Sequence, residues 1–303
     1  MGKMTLSAVR KGKIPSPYRL LVMGVDGVGK STFGAGAPGA VFLGPESGTN
    51  QLDVARFPVP DTFAEFREGI HALTENKGSY QTLVVDTIDW VEPLIARQLC
   101  VEHSASSIDE VAGGYGKGYT LALDQWRAVL SDIERLQAKQ GMNVLLLAHA
   151  FVKAFRNPEG EDYDRYVLKM HDKAASLVRE WCEGVYFAQY ETFAQKKKGA
   201  VKAKGVSSGA RLLYTQRTAA YDAKDRYNVP AALPLNWEDF DRAVKASSPA
   251  DPVELEKEIR RKASAVGGEV EAASLAWLEE HKMDAVQLSM LNDRLNAKLA
   301  EKE

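Results

Sequence analysis

The feature that most constrains this chain is a glycine-rich motif near its start. Residues 24 to 31 read Gly-Val-Asp-Gly-Val-Gly-Lys-Ser, the pattern Gly-x4-Gly-Lys-Ser. An apolar run from Arg19 to Gly24 precedes the motif, and Lys30 to Ala37 predicts a short helix that stops at Pro38 and Gly39. A strand, a glycine loop and a helix in this order form the structural context in which such a motif binds phosphate.

The motif predicts a site for ATP and magnesium. Its glycines let backbone amides turn inward around the phosphates, at the positive end of the following helix. Lys30 would reach the β and γ phosphates, and the Ser31 hydroxyl would ligate Mg²⁺. An ordinary glycine loop is the alternative, which the flanking strand and helix disfavour. The predicted nucleotide contacts are Gly24, Val25, Asp26, Gly27, Val28, Gly29, Lys30, Ser31 and Thr32.

The pattern beyond the motif predicts an α/β fold with a mainly parallel central sheet flanked by helices. Buried-strand patterns at Ala40 to Gly44, Thr82 to Asp86 and Asn143 to His149 alternate with helical patterns. Such alternation is typical of parallel strands joined by crossover helices. Because the strand at 143–149 is almost entirely aliphatic, it is expected to lie centrally. This core is expected over residues 18–246, after an N-terminal arm at 1–17.

Two later segments are expected to be loops. Residues 151–170 are polar and aromatic and contain Asn157-Pro158 and Gly160. The segment from Gln195 to Gly209 contains several lysines among Gly, Ala and Ser. This composition predicts a mobile hairpin tip between two strands. That tip is either simply solvated or in contact with phosphate.

The end of the chain has a different character. A linker is expected at 247–252, and residues 253–303 predict charged amphipathic helices with leucines at helical spacing. These helices either pair with another subunit or a partner, or form a small helical cap on the core. No chemistry can be assigned to them from the sequence.

Composition limits the class of protein. The chain has 303 residues, 45% of them hydrophobic, and a formal net charge of −2. The near-neutral charge gives no long-range attraction of the whole molecule to nucleic acid, so any nucleic-acid site must be local. Cys100 and Cys182 have no metal-ligand spacing and indicate no disulfide framework. With no apolar run of membrane length, these features predict a soluble, cytoplasmic protein.

Polar side chains follow several of the predicted strands. Asp86 ends its strand in a carboxylate that can hold magnesium through a water molecule, while Asp89 is the candidate N-cap of the next helix. Glu46 is the candidate general base for a water that attacks the γ phosphate, or else a solvated turn residue. His149 either senses the γ phosphate or is a hydrogen-bonded structural residue.

Two late cations suggest a site shared between subunits. Lys224 and Arg226 flank Asp225, and residues two apart in an extended segment face the same side. In a filament or ring, both could reach the ATP of a neighbouring subunit, as an arginine finger does. A solvated charged turn is the alternative.

Together these motifs resemble the RecA-type ATPase core over roughly residues 18–245. The phrases Gly-Val-Gly-Lys-Ser-Thr-Phe, Phe-Leu-Gly-Pro-Glu-Ser-Gly-Thr, Gly-Tyr-Gly-Lys-Gly-Tyr and Ala-Lys-Asp-Arg look like bacteriophage ATP-binding proteins of the Sak type. Those are RecA-like single-strand annealing recombination proteins. The resemblance implies magnesium-dependent ATP hydrolysis, assembly into a homo-oligomeric filament or ring with composite ATP sites, and binding of single-stranded DNA in the host cytoplasm.

The resemblance also implies DNA-binding loops after the strands that end at Asp86 and His149, at about 107–119 and 151–170. Both segments hold the aromatic and basic residues that single-strand binding needs. The candidates for base stacking are Tyr115, Tyr119, Phe151 and Phe155, and those for phosphate contact are Lys117, Lys153, Arg156 and Arg165. Packing of the aromatic rings within the loops is the alternative.

Two other functions are compatible with the sequence. A nucleotide-dependent loader or scaffold of a phage replication complex would act through the C-terminal helices, with a single-strand-binding or replication protein as its partner. A small-molecule kinase would need clustered arginines near the nucleotide motifs, and the sequence shows no such cluster there.

Overall fold

The computed structural model describes residues 5–9, 16–195, 204–247, 252–280 and 285–300. The chain divides into two compact units, Met1–Phe240 and Asp241–Glu303. The boundary between the units lies after Phe240, inside the helix that spans Trp237–Ser247. The core was expected to end slightly later, at residue 246. The expected arm and linker lie partly outside the described residues, as does the expected hairpin tip, of which 196–203 are not described.

Nine strands of the described chain form the sheet, in the order β3-β2-β4-β5-β1-β7-β8-β9, with β6 paired to β5. The strands from β3 to β7 along this order run parallel, whereas β6, β8 and β9 are antiparallel to their neighbours. The predicted α/β class with a mainly parallel sheet is therefore confirmed. The strands are β1 Arg19–Gly24, β2 Ala40–Leu43, β3 Ala55–Arg56, β4 Thr82–Val85, β5 Asn143–Phe155, β6 Tyr163–Leu168, β7 Gly184–Gln195, β8 Lys204–Tyr214 and β9 Ala232–Pro234.

The helices begin and end at recognisable signals. The second helix starts with a capping box between Thr62 and Glu65, and the long fourth helix ends at Gly141 in the left-handed conformation. The helices are α1 Lys30–Ala35, α2 Phe63–Glu75, α3 Val91–Glu102, α4 Lys117–Gln140, α5 Asp172–Trp181, α6 Trp237–Ser247, α7 Pro252–Val266, α8 Gly268–Glu280 and α9 Ala285–Ala300.

The centre of the sheet carries the site. The first half of β5 lies between β1 and β4, and its residues from Val144 to Ala148 are fully buried. This position explains its aliphatic sequence, because a central parallel strand is covered on both faces. The register pairs Gly24 with His149 and Val85 with Leu146. The glycine loop, Asp86 and His149 thus leave the sheet at the same edge.

The expectation of a loop at 151–170 is wrong. β5 continues to Phe155 and pairs with β6 as an antiparallel hairpin, in which Phe151 lies opposite Val167. Aromatic and β-branched residues on both strands favour this extended pairing. Asn157, Pro158 and Gly160 mark only the turn between the strands.

The second unit has a small core of its own. Helices α7, α8 and α9 contribute apolar side chains that are almost completely buried, as expected from the helical spacing of the leucines. The buried residues are Leu255, Ile259, Ala263, Val266, Leu278, Leu288 and Leu295.

Across the described ranges, no helix combines the length and the apolar character that a membrane span requires.

Candidate nucleotide site

The glycine loop joins β1 to α1 in a conformation that needs its glycines. Gly27 has φ of 71° and Gly29 has φ of 107°, values that side chains other than hydrogen disfavour. A Cβ at Gly24 would lie 2.4 Å from the carbonyl oxygen of Ala188 on β7, so this position also excludes a side chain. The loop therefore has the tight backbone turn that can surround phosphate groups.

Lys30 is held inside this loop. Its side chain is buried, and its ammonium donates to the carbonyl oxygens of Gly24 at 3.1 Å and Val25 at 3.0 Å. Burial lowers the pKa of Lys30, and the nearby carboxylates, Asp26 first, act against this shift. A cation surrounded by carboxylates at the loop is placed to neutralise phosphate charge.

The two predicted magnesium ligands lie together. Asp86 follows β4, is only 5% exposed, and accepts a hydrogen bond from the hydroxyl of Ser31. Burial raises the pKa of Asp86, and the bond from Ser31 opposes that shift. A hydroxyl and a carboxylate are the hard oxygen ligands that Mg²⁺ uses alongside nucleotide phosphates. The residues therefore fit ATP with magnesium, although no group of three or more His, Cys, Asp or Glu within the described ranges forms a metal site by itself.

Glu46 is positioned by a residue that the sequence did not indicate. The hydroxyl of Thr87, which is 1% exposed, donates to Oε2 of Glu46 at 3.2 Å. The same hydroxyl lies 3.5 Å from Nδ1 of His149. Thr87 thus links the candidate base to the end of the central strand.

His149 connects a buried carboxylate to the glycine loop. Asp89 accepts hydrogen bonds from the backbone N–H and from Nδ1 of His149, both at 2.9 Å, while Nε2 lies 3.6 Å from Oδ1 of Asp26. The bond to Asp89 raises the pKa of His149, although burial acts against it. Burial would raise the pKa of Asp89, but the bonds from His149 outweigh it and leave that pKa lowered.

The assignment of Asp89 as an N-cap is wrong. A short 3-10 helix, Ile88–Trp90, precedes α3, and the N-cap position of α3 is Trp90, which makes no capping hydrogen bond. The carboxylate of Asp89 is taken by His149, a residue sixty positions later that only the sheet brings near. A carboxylate shortly after a buried strand was the only signal for it in the sequence.

A further cation reaches the loop from the β7–β8 hairpin. Tyr190 donates its hydroxyl to the carbonyl of Gly27 at 3.1 Å, and Arg211, paired with Tyr190 across the strands, lies over that ring at 5.7 Å. A Cβ on Gly29 would be 2.8 Å from Nη1 of Arg211. No local pattern indicates this contact, because both residues lie far along the chain from the loop.

The structure separates the two late cations. Lys224 pairs through its backbone with Val185, and its ammonium binds the carbonyl oxygens of Arg179, Glu180 and Cys182 at the end of α5. A lysine there satisfies carbonyls that the helix leaves open. The expectation that both cations face one target does not match this arrangement, because the ammonium of Lys224 is bound to carbonyl oxygens of its own chain. Arg226 is exposed.

The two predicted DNA segments meet at the start of α5. Tyr119, in the first turn of α4, stacks on His171 with ring centroids 4.5 Å apart. Nζ of Lys153 on β5 lies 2.8 Å from the carboxylate of Asp172, which is the residue after His171. Lys117 is exposed in the same first turn of α4. Tyr119 of the first segment and Lys153 of the second therefore contact neighbouring residues at the start of α5.

Members of that set differ in exposure. Tyr115 is 99% and Phe151 42% exposed, and Arg156 is also exposed. Phe155 packs on Tyr163 with ring centroids 5.2 Å apart. Its ring therefore packs within the protein, which was the alternative to base stacking.

The assignment of Arg165 as a phosphate contact is wrong. The residue is 5% exposed and its Nη2 binds Oδ1 of Asp222 at 2.7 Å. Its guanidinium also lies 5.0 Å from the ring centroid of Phe155. Arg165 is buried because Asp222, which lies far along the chain, and Phe155, on the paired strand, contact its guanidinium, and the sequence alone did not indicate these contacts.

Comparison with known proteins gives a family match and more distant similarities. The family described as an AAA domain matches residues 16–227. The SPbeta prophage-derived uncharacterized protein YorG of Bacillus subtilis (strain 168) is 24% identical over 135 residues, which are 43% of this chain and 40% of that protein. The crystal structure of the RadB recombinase aligns with a TM-score of 0.36 at 12% identity, over 69% of this chain and 91% of that chain.

Proposed function

The chain belongs to the family of AAA domains and has the fold of RecA-like P-loop ATPases, and from this premise we propose that it is an ATP-hydrolysing recombination protein of the Sak type. In this proposal it assembles on single-stranded DNA and promotes annealing or strand exchange. ATP with magnesium is its cofactor, and other copies of the same chain are its first partners.

One observation carries the ATPase part of the proposal. The side chains proposed for phosphate binding, metal ligation and water activation lie at a single edge of the sheet, although they follow β1, β2, β4 and β5. Carboxyl ends of parallel strands are where such folds bind ligands. A structural role alone would not require buried Lys30 and Asp86 to face a common space.

The geometry supports a division of roles among these residues. Bound ATP with magnesium supplies the phosphoanhydride bond to be hydrolysed. Lys30 would neutralise phosphate charge, and Ser31 with Asp86 would hold the metal. Glu46, oriented by Thr87, accepts a proton from the attacking water.

Two more side chains complete the proposed site. His149 presents Nε2 to the loop side, 3.6 Å from Asp26, where it can respond to the γ phosphate. Arg211 adds a cation from the same subunit beside Gly29, and positive charge there stabilises negative charge that develops on transferring phosphate.

The DNA part rests on the surface where Tyr119, Lys153 and the start of α5 meet. Exposed Tyr115 and Phe151 offer rings for base stacking, and exposed Lys117 and Arg156 offer charge for phosphates. A bacteriophage origin is part of the proposal and is supported by the prophage-derived relative.

The proposal is tested by ATP binding and by ATP hydrolysis with and without single-stranded DNA at two salt concentrations. Stimulation by DNA should fall as salt rises, because phosphate contacts release counterions. Lys30→Ala should weaken ATP binding by about tenfold or more, since a hydrogen bond to a charged group contributes roughly 1.5–3 kcal/mol. Lys139→Ala, which removes an exposed lysine of α4, is the matched control.

A loader or scaffold of a replication complex is the second candidate, and the separate core of α7–α9 is the observation that favours it. In that case residues 18–246 would bind ATP and residues 253–303 would bind a protein partner. ATP hydrolysis that is indifferent to single-stranded DNA, at both salt concentrations, would favour the loader. Absence of nucleotide binding would contradict both candidates.

A further inference from the structure

A cavity of about 410 Å³ lies beside the nucleotide site, between α3, α4 and α5. Its wall is largely apolar and rich in flat rings, which come from Trp90, Tyr119, Trp126 and His171. The cavity is large enough for a ring system of one or two rings. No role assigned above uses it.

The shape of the wall favours a planar ligand. Tyr119 and His171 stack on each other with an interplanar angle of 16°, and both rings line the cavity. Trp90 is 47% exposed and also lines the cavity. Aromatic side chains of this kind are the surfaces on which unpaired nucleobases stack.

The wall also contains a polar group that suits the edge of a base. The carboxylate of Glu92, which accepts a hydrogen bond from the backbone N–H of His171 at 3.0 Å, is an acceptor in this wall. The exocyclic amines of adenine and cytosine are donors that such an acceptor can bind.

Two lining residues hold His149 directly. Asp89 accepts both hydrogen bonds from His149, and the backbone N–H of Lys169 donates to the carbonyl of His149 at 3.0 Å. Nε2 of His149 in turn lies 3.6 Å from Asp26 of the glycine loop. An occupant of the cavity would therefore contact the residues that set the position of His149.

We propose that this cavity receives an unstacked base of single-stranded DNA and transmits its presence to the glycine loop through Asp89 and His149. The inference rests on the proposed function and deepens it. Tyr119 and His171 belong both to the cavity wall and to the surface where the predicted DNA segments meet, so a strand on that surface passes the cavity. Base occupancy in this arrangement is the signal that accelerates ATP hydrolysis.

The test fills the cavity without touching the nucleotide site. Ala122→Phe places a ring in the cavity from α4, and Ala138→Phe makes the same change at an exposed position of that helix. Anisotropy of a labelled oligo(dA) strand and of an abasic strand of equal length measures affinity, and ATP hydrolysis is followed with and without each strand. Thermal unfolding and basal hydrolysis show whether each variant folds.

We expect Ala122→Phe to bind oligo(dA) about tenfold more weakly, since one stacked base is lost, and to lose its stimulation of hydrolysis. Affinity for the abasic strand and basal hydrolysis should stay at the wild-type level, and Ala138→Phe should resemble wild type throughout. If Ala122→Phe does not fold, Ala96→Phe, which places a ring in the cavity from α3, provides the same test.

Each other outcome overturns a defined part of the idea. A folded Ala122→Phe protein that binds and is stimulated like wild type would overturn the cavity while leaving the proposed function intact. A wild-type protein that binds neither strand would contradict the proposed function itself. Full stimulation by free adenosine would overturn the strand as the source of the base.

Discussion

At the scale of single residues, the candidate site consists of charged groups whose pKa values are set by burial and by one another. Asp89 and His149 shift in opposite directions because each stabilises the charged form of the other. Asp86 is different, since burial dominates and raises its pKa. Its carboxylate must be ionised to ligate magnesium, so we expect metal binding to be lost at a higher pH than it would be at an exposed aspartate.

Glu46 is the residue on which turnover should depend most. Glu46→Gln keeps an acceptor for Thr87 but cannot accept a proton, so hydrolysis should fall by about a hundredfold or more while ATP binding is retained. Single-turnover hydrolysis and equilibrium binding measure the two separately. Glu68→Gln, at an exposed position of α2, is the control. Wild-type turnover in Glu46→Gln would eliminate Glu46 as the base.

His149 gives the protein a pH dependence of defined sign. Its pKa is raised above 6.5 in the folded state, so its charged form contributes stability fully below about pH 6.5, and this contribution is lost as pH rises through the raised pKa. Urea unfolding of wild type and His149→Gln between about pH 6 and 9 should show a stability difference that shrinks as pH increases.

Exposed His103 is the control for the His149 measurement, because His103→Gln should leave the pH profile of wild type unchanged. The double variant His149→Gln, Asp89→Asn separates the loss of charge from the cost of an unpaired Asp89. A stability difference that grows with pH would contradict the assigned sign.

At the scale of elements, hairpins rather than loops surround the site. The β5–β6 register pairs Lys153 with Arg165, so Phe151 and Arg165 lie on the same face of that hairpin, where Phe151 is 42% and Arg165 only 5% exposed. Arg165 is buried by its contacts with Asp222 and with the ring of Phe155. The β7–β8 hairpin brings Tyr190 and Arg211 over the glycine loop.

Phe151 and Arg165 should therefore have opposite phenotypes. Arg165→Leu removes a buried charge, but Asp222 keeps its contact with Arg179, so the free energy of unfolding should fall by about 1–3 kcal/mol with little change in DNA affinity. Phe151→Ser should change stability by less than about 0.5 kcal/mol and weaken DNA binding. Urea unfolding and strand anisotropy measure both, and each variant serves as the control for the other. Weaker DNA binding by a stable Arg165→Leu protein would restore Arg165 as a contact.

At the scale of the whole molecule, the proposed assembly requires residues of one subunit to act at the site of another. Arg226 is exposed, whereas Lys224 is bound at the end of α5. Of the two predicted cations, only Arg226 is thus placed to act in a neighbour. The second unit, Asp241–Glu303, is helical, and in the loader alternative it would bind a protein partner.

Mixing inactive subunits tests the composite site. Lys30→Ala subunits retain Arg226, and Arg226→Ala subunits retain an intact loop, so mixed assemblies should contain some interfaces with both residues. Hydrolysis by an equimolar mixture should then exceed the sum of the two separate variants, because a trans arginine accelerates hydrolysis by about a thousandfold or more. A mixture of wild type with Lys139→Ala controls for the effect of mixing. Strict additivity would contradict a shared site.

Local patterns determined much of this protein. The glycine motif with its flanking strand and helix, the aliphatic strand at 143–149 and the position of Asp86 after β4 are consequences of nearby residues, and periodicity and turn chemistry depend on neighbours a few positions apart. The glycine loop therefore has the tight backbone turn that its motif predicts.

Only the tertiary structure decided which distant side chains complete the site. The bonds of His149 to Asp89, of Thr87 to Glu46, and the placement of Arg211 beside Gly29 depend on strand order and register, which no local pattern encodes. The burial of Arg165 was undetermined for the same reason, because it depends on Asp222, a residue that only the fold brings near. Sequence thus specified the phosphate loop, and the sheet specified its neighbours.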